Sequence, residues 1–218
     1  MIPDYHCLIA GEPVKSDRFV EVENPYNNAI VGRVSECNAA HTEKAIQSAL
    51  SSNSRLTRYE RFEILDKTRR DLLSKKEEFA KLITSEAGLC MRETLYEVGR
   101  ACDVLQFSAM EALKDDGQIF SCDVSPQGKA RKIFTIREPL NAAVAITPFN
   151  HPLNQVAHKL GPAIAAGTPI ILKPSEKTPL TAIRLAELLY KNGLPGWMLS
   201  VVLGATAEVA EPLVLDER

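Results

Sequence analysis

The sequence predicts an α/β fold: an incomplete parallel sheet with flanking helices, an N-terminal helical segment and a projecting β-hairpin arm. Three observations predict it. From residue 140 onward, short apolar runs alternate with segments of helical period, the pattern of a parallel sheet covered on its faces. Residues 39 to 115 hold four stretches in which apolar side chains recur at helical spacing with charges between them. Between these two regions lies a pair of strand-like runs with a surplus of polar residues.

Taken in order, residues 5 to 36 alternate short apolar runs with turn residues, notably Gly11-Glu12-Pro13 and Asn24-Pro25-Tyr26-Asn27-Asn28, and read as small strands and hairpins. Four amphipathic helices are predicted over Ala39 to about Ser52, Arg58 to Ser74, Lys76 to Glu86 and Arg92 to Asp115. Gly88 is a suitable stop for the third, because glycine readily takes the left-handed conformation that closes a helix. Ile119-Phe120 and Ile133 to Ile136, joined across Ser125-Pro126-Gln127-Gly128, read as an exposed ribbon that needs a partner for stability. The remaining order is strand (Ala142 to Ile146), helix (Leu153 to Ala166), strand (Pro169 to Leu172), helix (Leu180 to Asn192), strand (Leu199 to Leu203) and helix (Ala207 to Leu213). The glycine fingerprint G-x-G-x-x-G is absent.

Composition narrows the function classes. With 45% hydrophobic and 25% charged residues over 218 positions, the chain can bury a real core. A formal charge of -2 with interspersed signs leaves no basic stripe, which argues against nucleic acid as a partner. No apolar run is long enough to span a bilayer, the first residues lack a signal-peptide pattern, and a cytoplasmic location is expected. Five cysteines with no C-x-x-C pair argue against a disulfide framework or a zinc site and are expected to be reduced, mostly buried thiols.

The most informative stretch is Ala145 to Glu176. The apolar run ending at Ile146 must stop where Pro148 and Pro152 bracket Phe149, Asn150 and His151. Pro152 suits a first helical position, so His151 is held extended and Asn150 sits beside a helix N-terminus, a place that favours negative charge. Read from the residues alone, Asn150 either caps that helix or offers its amide to a developing anion. Lys159, on an otherwise apolar helix, either snorkels to solvent or serves a buried polar network.

Pro148-Phe149-Asn150-His151-Pro152, then Lys159-Leu160-Gly161-Pro162-Ala163-Ile164-Ala165-Ala166-Gly167, then Lys173-Pro174-Ser175-Glu176-Lys177-Thr178-Pro179 closely resemble the linked motifs of the aldehyde dehydrogenase superfamily. The resemblance covers essentially the whole chain. It implies a Rossmann-like sheet that binds NAD, with NADP as the alternative, at the carboxyl ends of its strands. It assigns Asn150 to an oxyanion site and Lys159 to the catalytic surroundings. Ile146, Thr147, Pro148 and Phe149 fall on the nicotinamide-ribose side, and Lys173, Ser175 and Glu176 at the adenosine ribose. An acid at the ribose disfavours a 2'-phosphate, so Glu176 tilts the choice toward NAD.

His151 and Arg100 together look like the branch that handles phosphonate aldehydes, in which they would bind an anionic substrate; the alternative is a cap and a surface charge paired with Glu97 or Asp103. The resemblance implies three parts: residues 1–116 as strands and helices of the cofactor-binding domain, 117–138 as an oligomerisation arm, and 139–218 as the first half of the cofactor sheet. Family members are roughly twice this length. The nucleophilic cysteine and catalytic glutamate of the family match no position here, so the chain alone is not expected to oxidise aldehydes. It is expected to act with an aldehyde substrate, as a homo-oligomer or with a downstream-encoded catalytic half. A truncated product, a split-enzyme piece and a fragment all fit the sequence, and a non-catalytic binding module is the rival from another class.

Overall fold

A computed structural model describes residues 2–51, 55–114 and 117–218. The N-terminal segment forms five short strands: β1 (Asp4–Tyr5), β2 (Leu8–Ile9), β3 (Glu12–Pro13), β4 (Phe19–Glu23) and β5 (Ile30–Ser35). Four helices follow, α1 (Ala39–Ser51), α2 (Arg58–Ser74), α3 (Lys76–Ala87) and α4 (Met91–Ala112). The predicted ends of the first and fourth at Ser52 and Asp115 lie outside the described residues. Thr57 opens α2 with a reciprocal cap: its hydroxyl accepts from Glu60 N at 3.2 Å, and Glu60 accepts from Thr57 N at 2.7 Å. Gly88 closes α3 as predicted, at φ 72°.

The ribbon β6 (Ile119–Phe120) and β7 (Ile133–Phe134) pairs antiparallel, and its turn contains one 3-10 turn at Pro126–Gly128. Thr135 and Ile136 fall outside the strand, although Thr135 N still donates to Gln118 O at 2.9 Å. The ribbon's Ile119, Val124 and Phe134 are exposed.

Beyond it run β8 (Ala143–Ile146), α5 (Pro152–Ala166), β9 (Ile170–Lys173), α6 (Leu180–Lys191), β10 (Leu199–Val201) and α7 (Ala210–Leu215). The last helix starts three residues later than predicted, because turns occupy 206–209. Strands β8, β9 and β10 are parallel neighbours, and β9 is buried along its whole length, as a strand covered on both faces should be.

The sheet is not purely parallel. β2 pairs antiparallel with β10 and β3 with β2, giving the order β3-β2-β10-β9-β8. Two-residue strands carry no readable periodicity, so nothing local announces this long-range pairing. β1, β5 and β4 form a second small sheet. The buried residues of the N-terminal elements and of the large sheet form one core cluster.

Helix α4 packs along α5. At Gly161 the two helices lie close together: a Cβ there would be 2.6 Å from Ser108 Oγ. At the far end of α5, Arg61 Nη1 donates to Ala165 O at 2.6 Å. Among the described residues, no helix is long and apolar enough to cross a membrane.

Candidate active site

Two loops leave the sheet side by side. Ile146 sits opposite Lys173 in the β8–β9 register, and Thr147 N donates to Lys173 O at 3.1 Å. Thr147 is buried, while Ile146, Pro148, Phe149 and Asn150 are exposed. The loops also touch beyond the strands: Thr178 Oγ1 donates to Phe149 O at 3.4 Å, and the Lys177 ammonium lies 4.9 Å from the centre of the Phe149 ring. Lys173 is buried and pairs with Glu176, whose side chain is nearly half exposed. Ser175 Oγ accepts from Lys177 N at 3.3 Å and shapes that loop.

Pro152 occupies the first position of α5, and His151 is held out of the helix at φ -142°, as the sequence predicts. Neither His151 nor Asn150 caps the helix. The acceptor is Glu97 from α4, which is 3% exposed: its Oε1 receives Leu153 N at 2.9 Å and Asn154 N at 3.0 Å, and its Oε2 lies 3.4 Å from His151 Nδ1. The negative charge that meets this helix N-terminus is therefore the protein's own. The capping role open to Asn150 on sequence is filled by Glu97, and the Asn150 amide forms no hydrogen bond among the described residues.

Between α4 and the start of α5 lies a cleft of about 530 Å³ walled by Arg92, Glu93, Tyr96, Glu97, Arg100, His151 and Asn154, with Asn150 just outside this wall, next to His151 in the chain. It brings together Arg100 and His151, the two residues singled out for substrate binding. Arg100 pairs with neither Glu97 nor Asp103, and it has no ion pair among the described residues. Arg92, Tyr96, Glu93 and Asn154 were missed by sequence reasoning. The signal for the first two was their spacing with Arg100 at i, i+4 and i+8, which lines one helix face. The carbonyl oxygen of Asn154 is buried without a partner, the one such side-chain atom among the described residues.

Lys159 is not brought to this cleft. It is exposed and unpaired among the described residues, because it projects from α5 away from the buried face of Leu153, Val156, Ala157, Leu160 and Ile164. The buried polar network considered for it is absent there. A larger groove, about 910 Å³, runs between α2, α4 and the C-terminal end of α5. It is separated from Pro152 by most of a helix, roughly 20 Å at 1.5 Å per residue, and adjoins neither strand-end loop.

A second buried acid repeats the arrangement. Glu86 of α3 receives Leu180 N at 2.8 Å, Thr181 N at 3.0 Å and the Thr181 hydroxyl at the start of α6. Complete burial pushes its carboxyl up to about 7, against the opposing pull of those donors. Of the thiols, Cys7, Cys37 and Cys102 are buried, Cys122 is half-buried and Cys90 is exposed; burial pushes Cys102 up to about 11. None lines the cleft, and no metal-binding cluster exists among the described residues.

The sequence profile of the aldehyde dehydrogenase family matches residues 13–218. A 3-sulfolactaldehyde dehydrogenase of Priestia aryabhattai is 39% identical over 217 residues, covering 99% of this chain and 46% of that protein. Aldehyde dehydrogenase 21 from Physcomitrella patens, solved with its reaction product succinate, superposes with a TM-score of 0.94 at 31% identity over 100% of this chain and 46% of that one. Betaine aldehyde dehydrogenase from Staphylococcus aureus, solved with NAD+, gives a TM-score of 0.87 at 30% identity over 95% of this chain and 42% of that one. The chain thus spans a little under half the length of the relatives it matches. On its sequence and its fold alike, the chain belongs to the aldehyde dehydrogenase family.

Proposed function

We propose that this chain forms one wall of the cleft of an NAD(P)-dependent aldehyde dehydrogenase that oxidises an anionic aldehyde to a carboxylic acid. The observation that carries the proposal is the pairing of Ile146 with Lys173, which sets the two strand-end loops side by side next to a cleft holding an unpaired arginine.

The strand-end edge fits a dinucleotide. Ligands of open parallel sheets lie outside the carboxyl ends of the strands. There Glu176 offers an exposed carboxylate to ribose hydroxyls and Lys173 a buried ammonium beside it. The carboxylate disfavours a 2'-phosphate, so NAD is preferred over NADP. Ile146, Pro148 and Phe149 present apolar surface to the nicotinamide side. Once bound, the nicotinamide supplies the hydride acceptor.

Asn150, with its amide uncommitted, donates to the carbonyl oxygen of the aldehyde as negative charge develops on it. Arg100 and His151 hold the anionic end of the substrate, and Arg92 and Tyr96 extend that wall. The relatives support an anionic substrate: one is named for a sulfonate-bearing aldehyde, and another binds succinate as product. A phosphonate aldehyde fits the same wall. No cysteine lines the cleft, so the nucleophile comes from a catalytic half outside these residues, and this chain alone turns nothing over. The ribbon β6–β7, with Ile119, Val124 and Phe134 exposed, serves as an oligomerisation arm.

The test joins this chain to the catalytic half of an aldehyde dehydrogenase and measures NAD-dependent oxidation of anionic and neutral aldehydes. Asn150→Ala is expected to slow acylation by about 100- to 1000-fold with cofactor affinity nearly unchanged. An unchanged acylation rate, or no NAD binding by the joined protein, would overturn the reading.

A further inference from the structure

We infer that Glu97 is a positioning residue that sets the distance between Arg100 and Asn150, and with it the length of the anionic aldehyde that the cleft selects. The inference rests on the roles proposed above for those two residues. Glu97 and Arg100 stand one turn apart on α4, and both line the cleft. The same carboxylate holds Leu153 N and Asn154 N, and only His151 and Pro152 separate Asn150 from Leu153. One side chain therefore ties the turn carrying the anion-binding arginine to the turn that follows the oxyanion donor.

A serine or aspartate at position 151 would satisfy the same N–H groups without joining two helices. Here the acceptor comes from a different helix, is 3% exposed, and meets no lysine or arginine among the described residues. A buried carboxylate is expensive to desolvate, and the groups that offset the cost here, Leu153 N, Asn154 N and the His151 ring, all lie at the start of α5.

The two helices also pack closely further along. Gly161 leaves no room for a side chain against Ser108 Oγ of α4, and Arg61, on α2, donates to Ala165 O in the last turn of α5. With the start of α5 tied to α4 through Glu97, the guanidinium of Arg100 and the amide of Asn150 keep a set spacing. An aldehyde one methylene too long or too short reaches one group or the other, not both.

The experiment uses this chain and three probes: malonamate, succinamate and glutaramate. Their amide carbonyl stands in for the aldehyde, and their carboxylate for the substrate anion. Titration calorimetry of the wild-type chain is expected to favour one probe by about tenfold over the others. In Glu97→Ala the spread should fall below about threefold, and the amides of Leu153 and Asn154 should lose hydrogen-exchange protection.

Should Glu97→Ala fail to fold, Glu97→Asp keeps the charge but is one methylene short, and it should reduce the spread with the helices still formed by circular dichroism. A merely structural role weakens all three probes by one factor and leaves their ranking and spread intact, and that result would overturn the inference. Wild-type chain that binds with a clear length preference, matched by both variants, removes Glu97 from the argument and leaves the anionic-aldehyde reading standing. Wild-type chain that binds none of the probes overturns the inference, while the anionic-aldehyde reading is decided separately by the joined enzyme.

Discussion

Glu86 makes the stability of this fold fall as pH rises through the neutral range. In an unfolded chain its carboxyl titrates near its ordinary value of 4.5; in the fold, burial pushes it up to about 7. The native state therefore holds the proton more tightly, and between these two values it binds more protons than the unfolded state. The contribution is complete below pH 4.5 and is lost as pH climbs through 7. The shift corresponds to about 3 kcal/mol at 1.36 kcal/mol per unit, of which about 2 to 3 falls between pH 5 and pH 8.

Glu86→Gln provides the comparison, because glutamine does not titrate. Its oxygen can keep the two contacts from Thr181, but its NH2 would face Leu180 N, donor against donor, at a cost of about 1–3 kcal/mol. The variant should thus be less stable than wild type at pH 5, with the gap closing by about 2 to 3 kcal/mol as pH rises to 8. Urea unfolding followed by circular dichroism at several pH values measures this directly. A gap that stays constant from pH 5 to 8 would refute the argument, since every other titrating group is common to both proteins.

At Gly161 the sign of a substitution is diagnostic. Alanine there would normally gain about 1 kcal/mol of helix propensity, but its Cβ would meet Ser108 Oγ at 2.6 Å, so Gly161→Ala should destabilise. Paired with Ser108→Ala it should recover most of the loss, and equal stability of the single and double variants in urea would refute the clash. Thr57→Ala removes the reciprocal cap of α2 and should cost about 1 kcal/mol by the same assay, whereas Thr57→Ser should stay near wild type. In the joined enzyme, Arg100→Ala should raise KM for a phosphonate aldehyde far more than for a neutral one, and equal increases would reject the anion site.

Much of this could be read from the chain. The strand and helix alternation after residue 140, the helix stop at Gly88 and the extended His151 ahead of Pro152 each follow from a local rule, because apolar period, glycine and proline act within a few residues. The pairing of Leu8 with Val201 did not, since it depends on a match between segments nearly 200 residues apart and on strands only two or three residues long.

Glu86 and Glu97 were hidden for a different reason. An acid on an amphipathic helix ordinarily faces water, and only the needs of α5 and α6 draw these two inward. A signal did exist. Those helices begin with His151-Pro152 and Pro179-Leu180, and neither junction supplies a capping side chain of its own. Unserved N–H groups at a buried helix end call for an acceptor from elsewhere.

The antiparallel strand β2 has an effect on how the sheet can grow. By lying against β10, with β3 beyond it, the N-terminal segment makes a two-residue strand ending in Pro13 the margin on that side. The opposite flank, β8, has no neighbouring strand among the described residues and shows Val144 and Ile146 to solvent. Polymerisation through that flank is the hazard such a row of unpaired amides creates. With the other margin reduced to two residues, one of them a proline without an N–H, β8 is the longer edge for an added strand, native or errant, to pair with.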